Sequence, residues 1–135
     1  MSNNDLFQRV KDLKLPKGKY ALFGSAPMGI RRLKDCHDID IIVTEDLWNE
    51  YRNNKNWKIK RFNDKNSYLE NDGIELWKNW NPGKWSNKKL IKEAEIIDGL
   101  PFVKLERVLE WKKLNRREKD LKDIKIIEGF LQIQK

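Results

Sequence analysis

Tyr20-Ala21-Leu22-Phe23-Gly24-Ser25-Ala26-Pro27, answered by Asp38-Ile39-Asp40-Ile41-Ile42-Val43, is the stretch whose reading decides the fold. The apolar run Tyr20 to Phe23 stops at a glycine, as a buried strand does where it enters a loop. Ala26-Pro27 then opens a short helix to about Leu33, because proline is pre-shaped for the first helical position. Ile39 to Val43 is rich in β-branched residues and reads as a second strand. Side chains two apart leave a strand on one face, so Asp38 and Asp40 project together while Ile39 and Ile41 go to the other. Two carboxylates held that close repel unless a proton or a cation intervenes. Mg²⁺, with Mn²⁺ as a substitute, suits them, since it takes one or two carboxylates and keeps water and substrate phosphates. A bare Asp-x-Asp is more often a solvated strand edge. Here, however, Gly24-Ser25 stands twelve residues upstream, at the end of the other strand and before a helix start. Glycine lets the backbone approach a ligand, N–H groups at a helix start attract phosphate, and Ser25 adds a hydroxyl.

Outward from this centre the chain alternates helix and strand. Asp5 to Leu15 carries Leu6, Val10 and Leu13 at helical spacing and stops at Pro16 and Gly18. Thr44 caps a helix to about Asn53 with an acidic first turn. Asn56 to Phe62 and Asn66 to Glu70 read as strands. Asn71-Asp72-Gly73 turns the latter into Ile74-Glu75-Leu76-Trp77, and Asp98-Gly99 separates Ile96-Ile97 from Leu100-Pro101-Phe102. Two helices follow, about Leu105 to Leu114 and Arg117 to Gln132. This order predicts an α+β fold, a sheet covered by helices, with two helices at the C-terminal end.

With 135 residues the chain holds one ordinary domain, since domains most often run roughly 100–150 residues. The apolar fraction of 39% and six tryptophans predict a folded globule. A formal net charge of +8 favours polyanionic partners such as nucleotides or nucleic acids. Cys36 is the single cysteine, which excludes an internal disulfide and a multi-cysteine zinc site. No apolar stretch approaches the ~20 residues that span a bilayer, and Met1 to Asp5 has no signal-peptide pattern. The expectation is a cytoplasmic protein without a membrane partner.

Phe23-Gly24-Ser25 with Asp38-Ile39-Asp40-Ile41 resembles the signature of the nucleotidyltransferase superfamily related to DNA polymerase β, particularly its small prokaryotic single-domain members. The likeness covers about Tyr20 to Thr44. It implies a nucleotidyltransferase-like mixed β-sheet and transfer of a nucleoside monophosphate from an NTP, such as ATP, with pyrophosphate leaving. The acceptor is then a small molecule, an RNA end or a protein side chain. Such proteins carry a third carboxylate on a neighbouring strand, which completes the metal site and takes the acceptor's proton. Glu75 is the candidate, because it alternates against Ile74 and Leu76; Glu70 and Asp98 are substitutes. Catalysis and metal binding are thus expected of Asp38, Asp40 and Glu75. The run Lys112-Lys113-Leu114-Asn115-Arg116-Arg117-Glu118-Lys119-Asp120 through Asp123-Ile124 also resembles the ending of some of these small proteins.

For nucleotide binding the expected residues are Gly24, Ser25, Arg31, Lys112 and Arg116. Lys112 falls on the apolar stripe of Leu105, Val108 and Leu109, where it either snorkels to water or faces the ligand cleft. Asp120 and Asp123 are placed to orient basic neighbours, or form ordinary helix-surface pairs. Arg31 lies one turn past Pro27, within reach of phosphate or simply on the surface. His37 stands beside Asp38, and Trp77, Trp80 and Trp85 read as packing around Pro82 or as a base platform. Two rival functions remain. One is a catalytically weak or inactive nucleotide- or nucleic-acid-binding module of the same fold. The other is a metal-dependent nuclease, against which Lys78 stands three residues after Glu75 rather than two.

Overall fold

The computed structural model describes residues 2–63, 66–79 and 86–134. Its elements are α1 (Asn3–Leu13), β1 (Tyr20–Phe23), α2 (Ala26–Gly29), β2 (Ile39–Val43), α3 (Glu45–Arg52), β3 (Lys58–Arg61) and β4 (Ser67–Asn71). They continue with β5 (Ile74–Trp77), α4 (Asn87–Lys92), β6 (Glu95–Ile97), β7 (Leu100–Phe102), α5 (Leu105–Asn115) and α6 (Glu118–Gln134). The protein is α+β, with one mixed sheet of order β3-β4-β5-β2-β1-β7-β6. β1 runs antiparallel to β2, whereas β5 lies parallel to β2 on its other side and β7 parallel to β1.

Both Asp-Gly turns form as the sequence predicts. Asp72 and Gly73 have φ of 48° and 87°, and Asp98 and Gly99 have 51° and 80°. Two successive positive φ angles match the twist of a tight hairpin, and β4/β5 and β6/β7 are the antiparallel pairs they join.

Strand alternation sorts the core into two clusters. Leu22, Ile39, Ile41, Ile74, Leu76 and Phe102 pack on one face beneath α1 and α3, which supply Leu6, Phe7, Val10, Leu47 and Trp48. Ala21, Phe23 and Ile42 face the other way, against Leu90 and Ile91 of α4, Val108 and Trp111 of α5 and Ile127 of α6. The second face is the one on which Asp40 and Glu75 stand.

Several boundaries move, each for a local reason. α1 begins earlier than Asp5 because Ser2 and Asp5 close a capping box: Asp5 N–H donates to the Ser2 hydroxyl at 3.1 Å and Ser2 N–H to the Asp5 carboxylate at 3.2 Å. α2 is a single turn and ends at Gly29 rather than near Leu33. There the returning chain packs against it: Asn3 donates to the carbonyls of Gly29 and Lys34, and a Cβ at Gly29 would lie 2.5 Å from Cys36 Sγ. Thr44 is the N-cap of α3, but its side chain makes no cap hydrogen bond. α4 was not expected, having only Leu90 and Ile91 to mark it. It is capped by Ser86, whose hydroxyl accepts from Lys89 N–H. Trp80, Pro82 and Trp85 lie outside the described residues.

Candidate functional site

β2 and β5 are adjacent and parallel, in a register that pairs Asp40 with Glu75. Their side chains are therefore neighbours on the sheet face, and the two carboxyl groups are hydrogen-bonded to each other. Burial, reinforced by the charge of Glu75, raises the Asp40 pKa well above the ordinary carboxylate range. Burial also raises Glu75, with the Asp38 charge adding to it and the hydrogen bond from Asp40 opposing it. The Trp77 indole N–H donates to Asp40 Oδ1 at 3.2 Å and fixes the carboxyl from below. Asp38 lies in the bend just before β2 rather than within the strand, yet lines the same cleft.

Gly24 is pressed against this pair. β1 pairs Phe23 with Asp40, so the chain leaves the strand directly over the aspartate. Gly24 has φ +64°, and a Cβ there would meet Asp40 Oδ2 at 2.5 Å. The glycine is required by the carboxylate itself, a closer constraint than the ligand approach expected from sequence. Ser25 lines the cleft, and its backbone carbonyl faces Cys36 Sγ. α2, which opens directly after Ser25, is only four residues long.

Opposite the carboxylates stands a basic wall. Lys112 on α5 is 3% exposed, and its Nζ lies 3.0 Å from Asp123 and 3.4 Å from Asp120, both on α6. Lys34 reaches the same Asp123 at 2.7 Å, and Arg117 pairs with Asp120 at 2.8 Å. Burial pushes the two aspartate pKa values up, but the bonds from Arg117, Lys34 and Lys112 outweigh it, and both lie below the usual value. Lys112 and Arg117 also sit over the Trp111 ring, at 5.6 and 5.2 Å from its centroid. Lys112 therefore does not snorkel; a buried pair of aspartates anchors it at the cleft.

The wall and the carboxylates line one cleft of about 660 Å³, together with Phe62, Trp77 and Trp111. A volume in this range accommodates a small organic ligand.

A consequence for stability follows from the anchor. Asp123→Asn removes the charge shared by Lys34 and Lys112, and breaking a buried pair costs about 3–5 kcal/mol; the lower end is expected because Asp120 still compensates Lys112. Since both folded-state pKa values are depressed, the stabilisation is complete above the ordinary Asp value of 3.8 and is lost as pH falls through the lower folded values. Urea midpoints at neutral pH should separate wild type from Asp123→Asn, and the gap should close on acidification.

Other expected residues are directed elsewhere. Arg31 donates to the Pro27 carbonyl at 2.7 Å and pairs with Glu95 at 3.1 Å, outside the cleft. Arg116 is the left-handed C-cap of α5 and donates to the Lys113 carbonyl, so its guanidinium stays in solvent. Its neighbour Arg117 faces the cleft instead, because the turn between α5 and α6 reverses direction at that residue. Of the substitutes for Glu75, Asp98 pairs with Lys11 outside the cleft, while Glu70 stands beside Glu75 on β4 but pairs with Lys60. His37 lines the cleft. Lys34 and the Trp77 hydrogen bond carried no sequence signal, since each depends on chain segments distant in sequence, whereas Arg117 belongs to the C-terminal run noted in the sequence and pairs with Asp120 three residues on.

Among the described residues, no three His, Cys, Asp or Glu side chains stand preassembled as a metal cage. The donor set nonetheless fits a hard divalent ion: Asp38, Asp40 and Glu75 line one cleft, and Mg²⁺ needs only one or two carboxylates beside water and phosphate. No helix among the described residues is long and apolar enough to cross a membrane. No family model, curated protein or solved structure matches the chain. The resemblance to nucleotidyltransferases therefore stands on Phe23-Gly24-Ser25, Asp38-Ile39-Asp40-Ile41 and the C-terminal run from Lys112 to Ile124.

Proposed function

We propose that the protein is a Mg²⁺-dependent nucleotidyltransferase that moves a nucleoside monophosphate from an NTP to an acceptor hydroxyl. The observation that carries this reading is the side-by-side pair Asp40 and Glu75, closed over by Gly24 and sharing one cleft with Lys34, Lys112 and Arg117. A triphosphate with one reacting phosphorus needs both halves. Cations offset its charge, and carboxylates act where bonds change.

Asp38, Asp40 and Glu75 are the residues that would hold Mg²⁺. When bound, the ion supplies Lewis-acid polarisation and charge neutralisation at phosphate oxygens. Glu75 takes the proton of the acceptor hydroxyl. The freed oxygen bonds to the α-phosphorus as the bond to the bridging oxygen breaks, and pyrophosphate leaves with that electron pair. Trp77 keeps the Asp40 carboxyl aimed, and Asp120 and Asp123 keep Arg117, Lys112 and Lys34 aimed at the triphosphate. Burial raises the pKa of both Asp40 and Glu75, so a cation held between them favours the doubly ionised pair.

One observation favours the second reading, a nucleotide-binding module without turnover: the third carboxylate is close to the pair but no preassembled cage stands among the described residues. Pyrophosphate release separates the two. The nuclease reading is weakened further, because Lys78 Nζ lies 4.7 Å from the Trp48 ring centroid and so turns away from the carboxylates.

The direct test is calorimetric titration of each NTP, with Mg²⁺ or Mn²⁺, into wild type and Asp40→Asn. Wild type is expected to bind at least one NTP in a metal-dependent manner, and the variant to lose the signal. Unchanged binding by Asp40→Asn, or no binding of any NTP by wild type, removes the proposal.

A further inference from the structure

The face that carries the carboxylates does not end at them. The helix-covered cluster on this side draws on β1 and β2 and takes nothing from β3, β4 or β5. Register then lays two rows across β5, β4 and β3. One runs Asp40, Glu75, Glu70, Lys58, and the other Ile42, Trp77, Tyr68, Lys60. The second row leads from the cleft through aromatic rings to a cation at the sheet edge. Tyr68 stacks on Trp77 with centroids 4.6 Å apart, and Phe62 meets Trp77 edge-on at 5.4 Å. Phe62 is 65% exposed yet lines the same cleft as Asp40 and Glu75.

All four residues of β3, Lys58-Ile59-Lys60-Arg61, are exposed. Lysine on an edge strand guards against strand addition, which by itself accounts for the charge. It does not account for an exposed phenylalanine two residues beyond Lys60 that lies beside a stacked Tyr68–Trp77 pair and lines the carboxylate cleft. Three strand spacings of about 4.8 Å make this a track of roughly 14 Å from β2 to β3.

We propose that this face, from Tyr68 and Phe62 to Lys58 and Lys60, is a binding platform for single-stranded nucleic acid. Unpaired bases expose the faces that Phe62 and Tyr68 can stack on, and the lysines neutralise phosphates, Lys60 by exchanging its half-exposed pair with Glu70. A duplex hides its base faces, and an added protein strand would use the backbone of β3 without using the rings. The net charge of +8 has the matching sign. Resting on the nucleotidyl-transfer reading, a terminal hydroxyl of the bound strand is the acceptor that Glu75 serves; binding itself does not depend on that reading.

The test is fluorescence anisotropy with a short labelled RNA, single-stranded or annealed to its complement, without NTP or metal and over a range of salt. Four proteins are compared: wild type, Lys58→Ala/Lys60→Ala, Phe62→Ala, and the control Lys17→Ala/Lys125→Ala, whose lysines are exposed elsewhere. Wild type should prefer the single strand. At about 0.7 per phosphate contact on a single strand, the β3 double variant should flatten the log–log salt slope by about 1.4, while the control keeps the wild-type slope. Phe62→Ala should weaken binding by about 5- to 100-fold, the loss of one stacked base. Binding of Mg-NTP to the β3 double variant should equal wild type. The proposal is overturned if wild type binds no RNA, if duplex binds as well as single strand, if the control loses as much as the β3 variant, or if binding ignores salt. RNA binding without NTP binding would retire the transfer chemistry and leave the platform; NTP binding without RNA binding would retire the platform alone.

Discussion

Gly24→Ala is expected to abolish metal-dependent NTP binding in a protein that still folds. Glycine adopts its φ of +64° freely, whereas a Cβ in the left-handed region costs about 1–2 kcal/mol. That cost is small beside the local effect. The new methyl would stand 2.5 Å from Asp40 Oδ2, so the carboxyl must swing off the position in which Trp77 holds it and Glu75 meets it. Asp40 pairs with Phe23 and with Glu75 across two strand neighbours, so its backbone cannot retreat. The side chain takes the whole displacement. Circular dichroism should report a folded variant with a modestly lowered melting temperature, and calorimetry should find no Mg-NTP binding. Wild-type affinity in Gly24→Ala would mean that Asp40 is not a ligand in its observed position.

The second large effect concerns rate rather than capture. Glu75→Gln keeps the shape of the side chain and its hydrogen bond to Asp40, but it cannot accept a proton from the acceptor. General-base assistance is typically worth about 10²–10⁴ in rate, so turnover should fall by that factor. NTP affinity should change far less, because the cations proposed to meet the triphosphate, Lys34, Lys112 and Arg117, line the cleft independently of Glu75. Steady-state pyrophosphate release, with whichever acceptor supports wild-type turnover, separates kcat from KM. Glu70→Gln is the matched control: Glu70 is the register neighbour of Glu75, yet it is paired with Lys60 and does not line the cleft. Equal losses in both variants would assign the effect to the acidity of the sheet face, and undiminished turnover in Glu75→Gln would favour the binding module.

The strands at the centre were legible because their information is local. Ile39–Val43 and Ile74–Trp77 have the same ends in sequence and structure, since β-branched content and an Asp-Gly turn mark them without reference to distant residues. The residues that did not conform are those whose placing depends on a second chain segment. Arg116 and Arg117 are indistinguishable in sequence, and the left-handed cap at Arg116 alone decides which guanidinium turns to the cleft. α2 stops at Gly29 because Asn3 and Cys36 close in on it. Lys34 reaches the basic wall only through an aspartate 89 residues later.

The sequence by itself determined the α+β alternation, both Asp-Gly hairpins and the apolar stripe of α5. Periodicity, turn chemistry and neighbour spacing are properties of a few consecutive residues, and they act before any long-range contact exists. Tertiary structure alone decided that β5 lies parallel beside β2 with Glu75 against Asp40, that Gly24 closes over that pair, and that Lys112 is buried against α6 rather than carried to water. Register between distant strands is set by which apolar faces fill the two cores together, and that sum over the whole chain is written in no single segment.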